Sequence, residues 1–133
     1  SDLVINKTDD MCLECFKIDT SFIKYIENPT EEMCLEAIKQ DPYNIKYIDN
    51  QTEEMCLMAV RKEGYTLKFI KEQTPEMCLI AVKQNGHAIQ FVINKTEKIC
   101  IEAIKNKPVS IYCIRHRTPK MYFYYNLYSL LGH

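Results

Sequence analysis

The sequence predicts an all-α fold, an α-solenoid of about five 22-residue αα-hairpin repeats with a C-terminal capping helix. A period of roughly 20 to 50 residues is typical of proteins in which each unit buries its apolar face only by stacking on its neighbours. Threonine recurs every 22 residues, at Thr8, Thr30, Thr52, Thr74, Thr96 and Thr118. Two further residue types keep the same interval, at Cys12, Cys34, Cys56, Cys78 and Cys100 and at Ala37, Ala59, Ala81 and Ala103.

Each threonine is predicted to begin an α-helix of about ten residues, because its hydroxyl can cap the free amides of the first turn. Carboxylates such as Glu31 and Glu32 follow it and favour the positive end of the helix dipole. A basic residue lies nine positions after the threonine, near the other end. Pro75 and Pro119 occupy the first helical position, where the missing amide hydrogen of proline costs nothing.

A glycine or a proline ends this helix in four units, at Pro42, Gly64, Gly86 and Pro108. A second short element follows, as in 43–48, and its apolar positions fit either two turns of α-helix or a tighter 3₁₀ helix. A strand is the weaker alternative for so short a segment. One domain spanning 1–133 is predicted, with the units 8–29, 30–51, 52–73, 74–95 and 96–117.

The two ends of the sequence depart from the complete unit. Residues 1–7 are interpreted as part of a preceding unit, because Leu3 falls in register with Tyr25. Residues 118–133 replace the cysteine and alanine pattern with a tyrosine-rich helix. This helix is predicted to cap the solenoid, since tyrosine covers apolar surface while its hydroxyl faces water. The alternative is an exposed helix that forms a homodimer.

Composition and charge argue against several classes of protein. The 133 residues suit one domain, and 17 basic against 18 acidic residues give a net charge of −1, without the basic surplus typical of nucleic-acid binding. No apolar run approaches the roughly 18 residues that span a bilayer, so no membrane association is expected. Five of the seven cysteines share one repeat position, which suits a reducing, cytoplasmic environment.

No residue pattern points to catalysis, a metal or a cofactor. Cys12 and Cys15 form a CxxC pair, but no second pair and no correctly spaced histidine completes a zinc site. A redox role needs a thiol of lowered pKa, whereas a buried packing position is the preferred interpretation. His87 and His116 lack a serine, cysteine or carboxylate at an informative spacing. The chain is therefore predicted not to be an enzyme and to need no cofactor.

One position on the polar arc of the helices is unexpectedly apolar. With about 100° between successive residues, the sixth position after the threonine should face water. It is Glu36 in the second unit, but Met58 and Ile80 in the next two. These side chains either pack under another part of the fold or form a patch that contacts a partner. Lesser contacts are predicted at the start of the second element, from Tyr43, Tyr65 and His87.

Basic residues leave single-stranded nucleic acid as an alternative ligand. One ladder lies near the helix ends and a second on the short elements, with Lys17, Lys39, Arg61, Lys83 and Lys105 in the first and Lys24, Lys46 and Lys68 in the second. Helical repeats can read RNA one unit per base, and aromatic residues can stack on bases. Tyr47 and Phe69 have core periodicity, however, and acidic residues balance the first ladder. Solvated helix ends are therefore preferred.

The repeat motif also carries a family resemblance. It reads Thr-Glu-Glu-Met-Cys-Leu-x-Ala-Val/Ile-Lys-Gln-Asn-Gly-x-Ala-Ile/Leu-x-Phe/Tyr-Val/Ile and is best developed in 75–92. It resembles the short helical repeats of an uncharacterised family common in giant DNA viruses of amoebae and in some bacteria. The resemblance covers 8–117, and the tyrosine-rich tail departs from it. It implies a virus-encoded solenoid, located inside the host cell, and it provides no catalytic residue.

The function predicted from these observations is a non-enzymatic protein–protein interaction module that binds a host or viral protein through the solenoid surface. Solenoids suit this role because their exposed positions vary without disturbing the stacked core. Single-stranded nucleic-acid binding along the basic residues is the alternative.

Overall fold

The computed structural model describes residues 9–132, with the side chains of 11–132, and every element in that part of the chain is helical. The all-α solenoid is therefore confirmed. The α-helices are α1 (Asp9–Ile18), α2 (Glu31–Gln40), α3 (Glu53–Lys62), α4 (Pro75–Gln84), α5 (Glu97–Asn106) and α6 (Pro119–Leu130). Between them lie five 3₁₀ helices, η1 (Thr20–Tyr25), η2 (Pro42–Tyr47), η3 (Gly64–Phe69), η4 (Gly86–Phe91) and η5 (Pro108–Cys113). Residues 1–7, predicted to belong to a preceding unit, lie outside the described residues.

Threonine caps the α-helices as predicted. The hydroxyl of Thr30 accepts a hydrogen bond from the backbone N–H of Met33 at 3.1 Å, which satisfies one of the free amides of the first turn. The threonines that precede α3 to α6 make the same bond, at 3.2 to 3.3 Å. The repeated threonine is therefore the residue that sets where α2 to α6 begin.

The second element of each unit is a 3₁₀ helix, which was one of the two helical alternatives. It begins after an extended residue such as Asp41, whose backbone lies at φ −149° and ψ 108° and cannot continue the α-helix. The Asp41 carboxylate accepts the backbone N–H of Tyr43 at 3.0 Å, and Asp19 and Asn85 make the same bond in their units. Glu63 and Lys107 make no such side-chain bond before η3 and η5, so the extended residue is the feature that all five 3₁₀ helices share. A run of six residues is long for this conformation, which is uncommon beyond about four.

A single apolar column runs along the solenoid, because each unit places the same residues inside. The alanine of α2 to α5 is completely buried, and so is the apolar residue that follows it, as in Ala59 and Val60. The 3₁₀ helices add one buried aliphatic side chain each, at Ile23, Ile45, Leu67, Ile89 and Ile111. The cysteines of α2 to α5 lie in the same column. From α2 onward, each α-helix packs on the α-helix of the next unit, and each 3₁₀ helix packs on the next 3₁₀ helix; in the first unit it is η1 that packs on α2.

The helix α6 packs on α5 and η5 at the C-terminal end of this column, in the capping position that was predicted. Met121 is buried, and Tyr124 and Tyr125 are half-buried against the core. The opposite side of α6 is exposed, with Phe123 at 60% of its maximal accessible area. Within the described residues, none of the helices has the length and apolar character needed to cross a bilayer.

Candidate partner-binding surface

Three lysine side chains alternate with aromatic rings along the edge formed by the 3₁₀ helices. The Nζ of Lys46 lies 5.3 Å from the ring centroid of Tyr47 in its own unit and 5.8 Å from that of Phe69 in the next. Lys24 repeats the arrangement at 5.3 and 5.5 Å, and Lys68 at 5.6 and 5.8 Å. We name this set the aromatic–lysine ladder, consisting of Lys24, Lys46, Lys68, Tyr25, Tyr47, Phe69 and Phe91.

The ladder follows from a repeated dipeptide. Lysine and an aromatic residue are adjacent at the end of η1, η2 and η3, so the 22-residue period stacks each pair on the next. The lysines are exposed, whereas Tyr47, Phe69 and Phe91 are half-buried and pack against the core. A cation over such a ring contributes about 0.5–1 kcal/mol at an exposed site. The contacts therefore hold flexible lysine side chains in a regular row.

Two of the predicted partner-binding residues join this ladder. The Tyr43 ring meets the Phe69 ring edge-on at a centroid distance of 6.2 Å, and the Tyr65 ring meets Phe91 in the same way at 4.9 Å. Burial raises the pKa of the Tyr43 hydroxyl, and the negative charge of Glu63 raises it further. Both effects favour the protonated hydroxyl, which any tyrosine keeps at neutral pH.

His87 occupies the corresponding position in η4 and is half-buried, but the residue that matches Phe91 in the next unit is Cys113. No aromatic pair is available to His87 at that position. The lysine of the ladder is also replaced in this unit, by Gln90, whose side-chain amide donates to the Tyr65 hydroxyl at 2.9 Å. The charged part of the ladder therefore belongs to the first three units.

Met58 and Ile80, the main predicted contact residues, lie on α3 and α4 instead of the 3₁₀ edge. Both side chains are half-buried and pack against the core. The arc that helical geometry assigned to water is partly covered, because helices of neighbouring units flank it on both sides. The predicted residues thus form two groups, with Met58 and Ile80 on α-helices and Tyr43, Tyr65 and His87 at the starts of 3₁₀ helices.

The basic residues near the α-helix ends are arranged less regularly than the ladder. Lys17 pairs with Glu14 at 3.8 Å, and Lys105 pairs with Glu102 at 3.5 Å. The Nζ of Lys105 also lies 4.8 Å from the ring centroid of Tyr124. The remaining three members are exposed, namely Lys39, Arg61 and Lys83. The stacking on rings that repeats along the 3₁₀ edge distinguishes the second ladder from this one.

The buried cysteines of α2 to α5 are in surroundings that disfavour thiol reactivity. Burial raises the pKa of the Cys34, Cys56, Cys78 and Cys100 thiols, which disfavours the nucleophilic thiolate at neutral pH. Cys12 and Cys15 are half-buried in α1. In the part of the chain from 11 to 132, no group of three or more histidine, cysteine or acidic side chains is placed to hold a metal ion.

A family model described as a domain of unknown function (DUF4116) matches residues 30–74 and, overlapping them, residues 52–95. Each match spans two of the 22-residue units, and the second is displaced from the first by one unit. The chain is thus similar to this family over 66 of its 133 residues. Neither a curated protein nor a solved structure matches the chain.

Proposed function

We propose that this chain is a non-enzymatic protein-binding module and that its partner binds along the aromatic–lysine ladder. The observation that carries the proposal is the repeated stacking of Lys24, Lys46 and Lys68 between rings of adjacent units. A partner segment that lies along this edge meets the same pair of groups three times. Repetition adds contacts without requiring any one of them to be strong.

The chemistry of the ladder suits a protein partner. Tyrosine is enriched among residues that contribute most to protein interfaces, because it offers a large rigid ring together with a hydroxyl. Here the tyrosines Tyr43 and Tyr65 are held edge-on against other rings, so little side-chain entropy is lost when a partner binds. The three ammonium groups favour a partner segment that carries carboxylates.

We also propose an origin, a cellular location and a second contact area for this chain. The resemblance of the repeat to that of an uncharacterised family common in giant viruses supports a virus-encoded protein with a host or viral partner. The buried column of unpaired cysteines supports a reducing, cytoplasmic location. Met58 and Ile80 are proposed as a separate contact area on the α-helices, because two large apolar side chains remain half-exposed there.

Single-stranded nucleic acid is the second candidate, and one observation favours it. Lysines beside aromatic rings are also the means by which proteins hold phosphates and stack bases without reading their sequence. Against this candidate, the ladder rings Tyr47 and Phe69 are half-buried against the core, and the net charge of the chain is −1. The ladder is therefore proposed first as a protein-binding surface.

Affinity capture from host-cell lysate, with and without nuclease, distinguishes the candidates. The ladder variant carries Lys24→Gln, Lys46→Gln and Lys68→Gln, a change that η4 tolerates naturally with Gln90. A matched control removes the same charge elsewhere, with Lys39→Gln, Arg61→Gln and Lys83→Gln. A third bait carries Met58→Glu and Ile80→Glu.

A protein recovered despite nuclease by the wild type and the control, but lost from the ladder variant, supports the proposal. Recovery that disappears on nuclease treatment moves the function to nucleic acid. Loss from the Met58→Glu, Ile80→Glu bait alone moves the surface to the α-helices. Equal recovery by all baits contradicts both surfaces.

A further inference from the structure

Two glutamines bind the backbone of the following unit in the same way. The side-chain Nε2 of Gln51 donates to the carbonyl of Phe69 at 2.9 Å, and its Oε1 accepts the backbone N–H of Lys71 at 3.0 Å. Gln73 repeats the pair one unit later, at 2.8 Å to the carbonyl of Phe91 and 3.0 Å from the N–H of Ile93. Each carboxamide thus fills a slot with one backbone acceptor and one backbone donor.

The equivalent slot one unit earlier has no such side chain, because its position is Pro29. The backbone groups that match those of the next unit are the carbonyl of Tyr47 and the N–H of Asp49. Among the described residues, neither group receives a hydrogen bond like that of Gln51. The backbone around Ile48, at φ −101° and ψ 120°, nearly matches that of Ile70, at −86° and 124°, so the slot has the same shape.

A groove of about 1060 Å³ lies at this slot, lined by Pro29, Tyr47 and Asp49 and by the ladder residues Lys24 and Tyr25. Met33 also lines this groove, and its burial differs from that of the equivalent methionines in later units. Met33 is half-buried, whereas the equivalent methionines of α3 and α4 are only 2% and 3% exposed. The loop leading into Pro29 is distinctive too, since Asn28 has a φ of 55° and is the single non-glycine residue with positive φ among those described.

We propose that this groove, the Pro29 slot, binds the side-chain carboxamide of a glutamine or asparagine from the partner, which rests on the function proposed above. A primary carboxamide presents an N–H and an oxygen on one edge, matching the Tyr47 carbonyl and the Asp49 N–H. A carboxylate offers acceptors only and faces the Tyr47 carbonyl unfavourably. A single trans peptide group points its N–H and oxygen in opposite directions and cannot satisfy both. The N–H and C=O of one extended residue can satisfy both, as in a parallel β-bridge, so the test includes probes with the same backbone but no carboxamide.

The charge around the slot points to the same neutral group. Glu27, Glu31 and Asp49 line the groove, and Lys71 pairs at 3.5 Å with the exposed carboxylate of Asp49 alone, so an anion is disfavoured within it. Lys24 and Tyr25 connect the groove to the ladder. A partner segment is therefore expected to lie along the ladder while one glutamine or asparagine side chain enters the slot.

The probes for the test are three capped residues: N-acetyl-glutamine, N-acetyl-glutamate and N-acetyl-methionine, each as its N-methylamide. Each is titrated into the ¹⁵N-labelled full chain at neutral pH while the backbone resonance of Asp49 is followed. The expected result is a saturable shift with the glutamine probe alone. Pro29→Gln supplies the missing carboxamide from the chain itself, as Gln51 and Gln73 do for the slots at Phe69 and Phe91. This variant is expected to abolish the shift.

A second variant keeps the test decisive if Pro29→Gln perturbs the loop. Gln51→Ala empties the next slot, so the glutamine probe is then expected to shift the resonance of Lys71 as well. The inference is overturned by three results: no shift in the wild type, an equal shift with glutamate or methionine, or an undiminished shift in Pro29→Gln.

These outcomes separate the slot from the function as a whole. Failure of the probe to bind, together with loss of the captured protein from the lysine-to-glutamine ladder variant, removes the carboxamide inference and leaves the proposed function intact. Probe binding at Asp49, together with capture that is unaffected by the ladder variant, removes the ladder as the proposed binding surface instead.

Discussion

The backbone N–H of Gly64 donates to the side-chain oxygen of Gln84, in the next unit, at 2.6 Å. Gly86 makes the equivalent bond to Asn106 at 2.7 Å. In two other units the residue that ends the α-helix is proline, which has no N–H to donate. The matching residue of the next unit is then not an amide, as with Pro42 and Lys62. The glycine that ends one α-helix and the amide side chain at the end of the next α-helix therefore act as a pair that fixes the stacking of adjacent units.

Glycine is required at this contact because the units approach closely. A Cβ on Gly86 would lie 2.6 Å from the carbonyl oxygen of Ala103, which belongs to the backbone of α5 and cannot turn away. Gly86→Ala is expected to lower the free energy of unfolding by about 1–3 kcal/mol, the usual cost of overpacking. Urea unfolding measures it. Rescue of Gly86→Ala by Ser110→Ala would contradict this explanation, since it would place the clash on the Ser110 hydroxyl, which lies 2.9 Å from the same Cβ.

Two buried polar side chains at one repeat position should respond oppositely to alanine. The Ser110 hydroxyl is buried without a hydrogen-bond partner among the described residues, and the same position in η4 is Ala88. Ser110→Ala is therefore expected to leave stability unchanged or to raise it by up to about 1 kcal/mol. Asn44 donates to the Ala37 carbonyl at 2.9 Å and to Thr20 at 3.2 Å.

Asn44→Ala removes both bonds and leaves a buried carbonyl less well satisfied, so a loss of about 1–3 kcal/mol is expected. Thermal unfolding of the two variants beside the wild type tests the pair. A larger loss from Ser110→Ala than from Asn44→Ala would show that the hydroxyl has a partner that the structure does not contain.

The carboxamide of Gln51 should stabilise the joint between its unit and the next. Gln51→Met keeps the side-chain length but removes the bonds to Phe69 and Lys71, and a loss of about 1–2 kcal/mol is expected. Gln40→Met is the matched control, because Gln40 makes only an exposed bond to Glu36. Equal unfolding midpoints for the two variants would contradict a structural role for the glutamine, and with it the template for the Pro29 slot.

The buried cysteines should make the fold sensitive to alkaline pH. Burial raises the pKa of Cys56 and Cys78, so the folded state holds their protons more tightly than the unfolded state does. Their contribution is complete below the unfolded pKa of about 8.5 and is lost as the pH rises through the higher folded values. Under reducing conditions, the free energy of unfolding should fall above about pH 8.5 in the wild type.

The variant Cys56→Ala, Cys78→Ala is the control for this effect. It loses packing at every pH, but the slope of its unfolding free energy above neutral pH should be shallower. A slope equal to that of the wild type would show that other groups cause the alkaline sensitivity.

The parts of the fold that depend on one unit could be predicted from the sequence. Thr30 caps α2 through a bond to a residue only three positions away, so the local pattern was sufficient. The 3₁₀ conformation of Pro42–Tyr47 was left open, because six residues contain too little periodicity to separate it from α-helix.

Features that depend on two units could not be predicted in the same way. Tyr47 and Phe69 were assigned to the core, and both pack against it, but each ring also holds ladder lysines from its own unit and the preceding one. The repeated lysine–aromatic dipeptide was the available signal. The slot at Pro29 becomes visible only once Gln51 is seen to contact the Phe69 carbonyl, 18 residues away.

Binding of the partner along the aromatic–lysine ladder is tested most directly by the dissociation constant between the captured protein and this chain, measured by calorimetry at two salt concentrations. Binding is expected to be about tenfold or more weaker for the variant carrying Lys24→Gln, Lys46→Gln and Lys68→Gln, equivalent to about 1.4 kcal/mol. The control with Lys39→Gln, Arg61→Gln and Lys83→Gln should remain close to the wild type. Equal weakening of both variants, or weakening of the control alone, would show that the partner does not bind along the ladder.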